Sequence, residues 1–122
     1  MLSFKTLLIC LLTGSSLFAG SAEELISQNG CLACHAVASK KAAPAFAGIG
    51  KRNQRFYGVD AKAIIIESIK NGSSGKYPRF SNSPMPAFSN FSDEELDTVA
   101  KYILAQSSKA KGHGQGKNFR RR

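Results

Sequence analysis

The stretch Asn29-Gly30-Cys31-Leu32-Ala33-Cys34-His35 decides the fold of this 122-residue chain. It places two thiols with two residues between them and an imidazole directly after the second thiol. This is the spacing of covalent haem attachment, in which the thiols add across the two vinyl groups of the porphyrin and the histidine ligates the iron. The motif therefore predicts one haem c, held by Cys31 and Cys34 and ligated by His35.

Two other uses of the motif fit the sequence less well, and any short pattern can also occur by chance without a role. A structural zinc site needs four ligands, and the only other histidine, His113, lies in a glycine-rich segment. A thioredoxin-like redox pair belongs to a βαβ unit, and no strand is clearly signalled in this sequence. Haem attachment is therefore the interpretation that we adopt.

Met85 is the candidate for the second axial ligand. Once Met1 is removed with the leader, Met85 is the only methionine, and it stands between Pro84 and Pro86. Proline restricts the backbone on either side, and a thioether is a soft, neutral ligand that raises the reduction potential. The alternatives are a methionine that only fills the core, and ligation by His113, whose glycine neighbours hold it poorly. Two strong ligands would leave no open position on the iron.

The N-terminus has the layout of a secretory signal peptide over residues 1–19. Lys5 precedes an apolar run over residues 7–12, and small residues allow cleavage between positions 19 and 22. An uncleaved anchor is the alternative, but the apolar stretch is shorter than the roughly 20 residues of a membrane-spanning helix. Cleavage removes Cys10 and leaves only the two motif cysteines. The sequence thus predicts an exported protein, which in a bacterium would lie in the periplasm.

Helix signals divide the remaining chain, and a single domain is expected over residues 20–106. Capping-box patterns at residues 21–24 and 92–95 each predict a helix start, and Asp60 is a candidate cap for a helix over residues 61–70. The last helix is expected to reach about Gln106 and to bury Leu96, Val99 or Ala100, and Ile103. Residues 36–57 and 72–91 are predicted to be loops because glycine and proline interrupt them.

Positive charge is concentrated in two segments. The chain has 17 basic and 8 acidic residues, and six of the basic residues lie in residues 107–122, which contain no acid. This segment is predicted to be a disordered tail that either contacts a membrane or an acidic protein or is an inert end. A second cluster could steer an acidic partner or form a solvated surface; it comprises Lys40, Lys41, Lys51, Arg52, Arg55 and Lys62. Nucleic-acid binding is not expected, because no recognition motif accompanies the charge.

Together these residues resemble the short bacterial class I c-type cytochromes. The resemblance extends from about Glu23 to Gln106. It rests on the attachment motif and on three further segments, namely Ala43-Pro44-Ala45-Phe46, Ser83-Pro84-Met85-Pro86 and the closing helix of residues 93–106. The fold that it implies is all-α, with three to four short helices wrapped around one haem and the first and last helices crossing.

The resemblance also implies roles for individual residues. Cys31 and Cys34 would form the thioethers, and His35 and Met85 would be the proximal and distal ligands. Pro44 would pack against His35, and its region would supply a carbonyl that accepts the Nδ1 proton. Tyr102 would pack near the haem or the first helix. The sequence departs from the family in having no tryptophan shortly before the methionine, where Phe80 stands nearby, and in its basic tail.

The function that these features predict is the transfer of single electrons between redox partners. Such partners include a periplasmic reductase, a terminal oxidase or a quinol-oxidising complex, and the protein is expected to be a monomer. No catalytic residue is predicted, and the protein is expected to be a carrier and not an enzyme. The alternatives are a haem-based sensor or peroxidase-like enzyme with an open iron site, and a dedicated subunit of a larger redox complex.

Overall fold

The computed structural model describes residues 20–111 and has four α-helices in this range. They are α1 (Ala22–Gln28), α2 (Phe46–Tyr57), α3 (Ala61–Asn71) and α4 (Asp93–Ala105). Short 3₁₀ turns occur at Cys31–Ala33, Gly58–Asp60, Pro78–Phe80 and Gln106–Lys109. These described residues contain no strand, so the all-α prediction is confirmed. None of their helices has the length and apolar character needed to cross a membrane.

Some predictions concern residues outside the described range. The signal peptide with Cys10, and the tail beyond residue 111 with His113, lie there. The start of the predicted tail is described and differs from expectation, because Gln106–Lys109 forms a 3₁₀ turn and Gln106 is buried. The folded part therefore continues past residue 106.

Both predicted capping boxes are present. In α1 the Ser21 hydroxyl accepts a hydrogen bond from the Glu24 amide at 3.2 Å, and the Ser21 amide donates to the Glu24 carboxylate at 3.1 Å. Ser92 and Glu95 repeat the arrangement at the start of α4, with distances of 3.2 and 2.8 Å. Each box satisfies amide groups that the first helical turn leaves without a partner.

Helix α4 is the centre of the core and packs against α1, α2 and α3. Its predicted apolar stripe is confirmed, since Leu96, Val99, Ala100 and Ile103 are all buried. The other helices contribute the remaining members of the same cluster, which are Leu25, Ile26, Phe46, Ile65 and Ile69. Every helix thus buries its apolar side against this one element.

The prediction of a loop over residues 36–57 is wrong for its second half, which forms α2. No side chain caps this helix. Instead, the amides of Phe46 and Ala47 donate to the carbonyls of Ala36 and Val37 at 3.0 and 2.9 Å. Because distant backbone replaces the usual Ser, Thr or Asp cap, the sequence carries no local start signal.

Gly50 allows two helices to pack closely and does not mark a turn. It is buried where α2 crosses α4, and a Cβ atom at this position would lie 2.6 Å from the carbonyl oxygen of Ile103. A glycine here lets the two backbones approach closely. The two glycines of α2 therefore misled the sequence-based interpretation.

Asp60 does not cap α3, contrary to prediction. Its side chain makes no capping hydrogen bond, and its backbone is already helical at φ −84° and ψ −4°. A capping residue needs extended backbone, whereas the turn at Gly58–Asp60 carries the chain directly into α3. The predicted end of this helix is confirmed, because Gly72 follows Asn71 with a φ of 83°.

The close helix crossing predicts opposite effects of alanine at the two α2 glycines. Gly50→Ala should lower the free energy of unfolding by about 1–3 kcal/mol, because the added methyl group overpacks the contact with Ile103. Gly48→Ala is the control, since no atom lies within 4 Å of its Cβ position; it should be neutral or stabilising by up to about 1 kcal/mol. Denaturant unfolding of the haem-loaded variants measures both. Equal stabilities would contradict the packing role of Gly50.

Asp97 of α4 forms two ion pairs, one with Lys62 of α3 and one with Lys101 of its own helix. Its carboxylate oxygens lie 2.5 Å from the Lys62 ammonium and 2.6 Å from that of Lys101. The hydrogen bonds from Lys101 and Lys62 lower the pKa of Asp97 from its ordinary value. Because Lys62 is engaged in this pair on the α3 side, it does not join the other basic residues with which the sequence grouped it.

The lowered pKa of Asp97 predicts a pH-dependent contribution to stability. The contribution should be complete above the ordinary aspartate pKa and should disappear as the pH falls through the lowered value. Asp97→Asn should therefore unfold at lower denaturant concentration than the parent at pH 7, and the difference should shrink in acid. Glu67→Gln is the control, because Glu67 makes no ion pair within residues 20–111. A difference independent of pH would contradict this explanation.

Candidate haem site

A cavity between the helices brings several of the predicted site residues together. It has about 600 Å³ of empty space, part of it open to solvent. Its walls are mainly apolar and are formed by Ile26, Phe46, Ile49, Ile65, Ile69, Phe88, Phe91, Val99 and Ile103. Cys31, His35 and Met85 also line it.

The attachment motif folds into a tight turn at the edge of this cavity. Gly30 precedes it with a φ of 70°, a left-handed conformation that glycine adopts without strain. The amides of Cys34 and His35 both donate to the Cys31 carbonyl, at 3.3 and 2.9 Å. Cys31 is half-buried, and its burial raises the pKa of the thiol. Cys34 is exposed and lies outside the cavity lining, and neither cysteine forms a disulfide.

His35 is buried, and a hydrogen bond to the backbone fixes the position of its ring. Its Nδ1 atom lies 2.7 Å from the Pro44 carbonyl oxygen. Since a carbonyl can only accept, Nδ1 carries the proton and Nε2 keeps its lone pair. Burial lowers the pKa of the imidazole, while the Pro44 hydrogen bond acts in the opposite direction. The site therefore presents one nitrogen, Nε2, as a potential ligand.

Aromatic packing fixes the plane of this imidazole. The Phe46 ring stacks on it with centroids 5.0 Å apart and an interplanar angle of 20°. Tyr102 of α4 in turn meets the edge of Phe46 at 6.3 Å. Tyr102 thus acts on the site through Phe46, a residue to which the sequence assigned no role of its own.

Backbone contacts with the end of α3 position Met85. The Ser73 amide donates to the Met85 carbonyl at 3.3 Å, and the Phe88 amide donates to the Ile69 carbonyl at 2.9 Å. Gly72 makes the first contact possible, because a Cβ atom there would lie 2.8 Å from the Met85 oxygen. The methionine side chain is half-buried against the core.

One edge of the cavity is polar. It is lined by Asn53, Ser68, Ser73 and Tyr77. Asn53 donates to the Tyr77 hydroxyl at 3.3 Å, and the Lys76 ammonium donates to the Ser68 hydroxyl at 2.9 Å. The Arg52 guanidinium lies 4.8 Å from the centre of the Tyr77 ring. Two cations therefore stand at the polar edge.

Sequence reasoning missed most of this edge. Phe80 was noted as the aromatic residue nearest the absent tryptophan, but Tyr77 lines the cavity and Phe80 lines a separate surface groove. Asn53 was hidden because its helix was predicted to be a loop. Asn53 is buried and donates a hydrogen bond to the Ile49 carbonyl at 2.9 Å. Neither feature can be predicted unless these residues are known to form a helix.

The residues present fit a haem. Its apolar faces suit the aliphatic and aromatic walls, and its two carboxylates suit the polar edge beside Lys76 and Arg52. The thiols of Cys31 and Cys34 suit its vinyl groups, and the imidazole suits its iron. Residues 20–111 contain no group of three or more His, Cys, Asp or Glu side chains arranged to hold a metal ion.

Comparison with known proteins agrees with this assignment. The family model "Cytochrome c" matches residues 20–107. Cytochrome c-551 of Pseudomonas aeruginosa is 37% identical over 106 residues, covering 82% of this chain and 94% of the relative. Cytochrome c-552 of Hydrogenobacter thermophilus is 33% identical over 102 residues, covering 83% and 97%. The crystal structure of Nitrosomonas europaea cytochrome c552 superposes with a TM-score of 0.59 at 33% identity, covering 69% of this chain and 98% of that one.

The chain therefore belongs to the cytochrome c family, as a small bacterial class I c-type cytochrome. Its cofactor is one covalent haem c. Its class of function is that of an electron-carrier cytochrome.

The contact between Gly72 and the Met85 segment predicts a difference between two glycines that both have a positive φ. Gly72 and Gly75 have φ values of 83° and 77°, so alanine is strained at both and should cost about 1 kcal/mol. Gly72→Ala should cost roughly 1–3 kcal/mol more, because it also displaces the Met85 carbonyl. No atom lies within 4 Å of the Gly75 Cβ position. Denaturant unfolding of the two haem-loaded variants checks this, and equal losses would contradict it.

Proposed function

We propose that this protein is a periplasmic electron carrier whose haem iron is ligated by His35 and Met85. The observation that carries the proposal is the orientation of His35. Its Nδ1 proton is committed to the Pro44 carbonyl at 2.7 Å, so that only Nε2 is available at the cavity. When bound, the haem supplies a one-electron couple between ferric and ferrous iron.

Pro44 and Phe46 hold the imidazole for this role. The Pro44 carbonyl fixes the tautomer and makes Nε2 a better donor, as such bonds do at other metal-bound histidines. The stacked Phe46 ring restricts rotation of the imidazole plane. Both residues thereby limit movement of the ligand when the charge at the iron changes, and a small rearrangement favours rapid electron transfer.

Met85 is the second ligand in this proposal. It reaches the cavity from a segment remote in sequence from His35, and backbone bonds to α3 hold that segment in place. A neutral thioether stabilises the reduced state more than an imidazole does. The surrounding aliphatic walls exclude water and further disfavour added charge. The protein thus favours a comparatively high reduction potential.

Two retained ligands distinguish a carrier from a sensor or a peroxidase-like enzyme. Those functions require a position at which a gas or peroxide can bind. With His35 and Met85 both ligated, this chain would offer no such position, and it would have no turnover of its own. Its partners would be redox proteins, such as a reductase, a terminal oxidase or a quinol-oxidising complex.

Export belongs to the same proposal. We assign residues 1–19 to a signal peptide cleaved between positions 19 and 22, followed by the cytochrome domain. The domain begins at the Ser21 capping box, whose serine would be retained by cleavage after Ala19. Covalent haem attachment to Cys31 and Cys34 would then take place outside the cytoplasm.

Visible spectroscopy of the protein recovered from the periplasmic fraction tests the ligand assignment. The parent should give a c-type pyridine haemochrome and, when oxidised, the weak long-wavelength band of a thioether–iron bond. Met85→Ala should abolish that band, lower the potential and allow imidazole or carbon monoxide to bind. Met85→His is the matched control, because it restores a second strong ligand without the thioether. Intact mass should show one haem and an N-terminus within residues 20–23.

The possible results separate the alternatives. A thioether band that persists in Met85→Ala would exclude Met85 as the ligand. Carbon monoxide binding by the unaltered reduced protein would instead indicate an open iron site and favour the sensor or peroxidase-like function. Absence of haem from the purified protein would contradict the entire proposal.

A further inference from the structure

We propose that Lys76 raises the reduction potential of the haem by holding a positive charge against one of the haem carboxylates at the polar edge of the cavity. This inference rests on the proposed electron-carrier function and deepens it, because it names a side chain that determines the driving force of electron transfer. The sequence pattern assigns no role to Lys76, and its position becomes informative only in the folded chain.

Lys76 is a half-buried lysine without an acidic partner. Among residues 20–111 only Lys62 and Lys76 are lysines that are not fully exposed, and Lys62 pairs with Asp97. Lys76 forms no ion pair with any carboxylate of this part of the chain, including that of the neighbouring Glu67. Burying an ammonium group without a counter-charge costs free energy. The position of Lys76 therefore suits an anion that arrives with the cofactor.

A hydrogen bond joins this ammonium group to the wall of the haem cavity. It donates to the hydroxyl oxygen of Ser68 at 2.9 Å, and Ser68 lines the cavity. The Ser68 hydroxyl itself donates to the Ile64 carbonyl at 2.8 Å, so its oxygen is left to accept from Lys76. An ammonium group has three N–H donors, and Ser68 takes one of them. The remaining donors can reach a carboxylate at the same edge.

The backbone holds Lys76 beside Ser68. The Lys76 amide donates to the Ser73 carbonyl at 3.2 Å and closes a turn in which Gly75 has a φ of 77°. The Ser73 amide donates to the Met85 carbonyl at 3.3 Å, which ties this turn to the segment of the proposed distal ligand. Lys76 is thus fixed at its backbone as well as at its ammonium group. Its charge is for this reason kept at the cavity and not spread over the surface.

The other cation at the polar edge, Arg52, is placed differently. Its guanidinium lies 4.8 Å from the centre of the Tyr77 ring and 5.4 Å from that of the Phe56 ring. It lines the surface groove that Phe80 also lines. Arg52 is therefore engaged with aromatic faces at the surface, whereas Lys76 is hydrogen-bonded to a side chain of the cavity wall. The effect on the haem is assigned to Lys76 on this difference.

A fixed cation near the haem favours the reduced state. Oxidation adds one positive charge at the iron, and a second positive charge held nearby raises the free energy of that oxidised state. Lys76 would also neutralise a carboxylate whose negative charge stabilises ferric iron. The buried aliphatic side chains of Ile65 and Ile69 line the same cavity, and their low polarity strengthens both effects. Lys76 thus makes the haem a stronger electron acceptor.

Voltammetry of the haem-loaded protein tests the inference. Lys76→Gln should lower the equilibrium constant for reduction roughly three- to tenfold, which lowers the potential by about 28–59 mV. Most of this difference should remain at high salt, because a half-buried charge is screened less than an exposed one. Lys76→Arg keeps the charge and should stay near the parent. Lys70→Gln is the matched control, since it removes the same charge from an exposed position of α3 outside the cavity lining and should shift the potential far less.

NMR of the reduced, diamagnetic protein gives a second measurement. We expect NOEs between the ε-methylene protons of Lys76 and the propionate methylene protons of the haem. Ser68→Ala should lower the potential less than Lys76→Gln does, and the double variant should lower it no further than Lys76→Gln alone, because both substitutions act on one contact.

Contrary results overturn the inference in distinct ways. Equal shifts in Lys76→Gln and Lys70→Gln would mean that only net charge matters. A Lys76→Gln protein that is less stable in denaturant but has an unchanged potential would give Lys76 a purely structural role, and absence of the NOEs would exclude the contact. Failure of the Met85 assignment would lower the absolute potential of every variant and leave these differences in place, so the two outcomes can be told apart.

Discussion

The packing of α4 against the other three helices is the interaction on which the rest of the structure depends. Leu96, Val99, Ala100 and Ile103 form one buried stripe, and Val99 and Ile103 also line the haem cavity. The same contacts that stabilise the fold therefore build one wall of the site. A domain of this size buries a limited apolar core, and the apolar faces of the haem complete it. Stability and cofactor binding are for this reason inseparable here.

Helix α2 connects the packing against α4 to the position of His35. Gly50 lets it lie close to α4, and its first amides bond to the carbonyls of the residues just after His35. The crossing thus sets the positions of Pro44, which fixes the imidazole proton, and of Phe46, which stacks on the ring. Met85 depends on α3 in a comparable way, through Gly72 and two backbone hydrogen bonds. Both potential ligands are consequently positioned by backbone contacts and not by their side chains alone.

The acidic and basic residues lie in different parts of the structure. The acids lie at helix starts, where they satisfy free amides, or pair with lysines, as Asp97 does between α3 and α4. Seven basic residues and no acidic residue line a surface groove between residues 38–45, α2 and the turn at Pro78–Phe80. Pro44 and Arg52 belong to this groove and also contact His35 and Tyr77 of the haem cavity.

The sequence by itself determined the cofactor, two helix starts and the buried stripe of α4, because each depends on residues close together in the chain, and its resemblance to a known family implied the all-α class. Cys31, Cys34 and His35 form a local motif, and capping boxes act within one turn. Only the tertiary structure decided α2, whose cap is the backbone of Ala36 and Val37 and whose Gly50 resembles a turn signal until α4 is placed against it. It likewise decided that Tyr77 and not Phe80 lines the cavity, and that Lys62 pairs with Asp97. These features depend on contacts between segments remote in sequence, which no local pattern records.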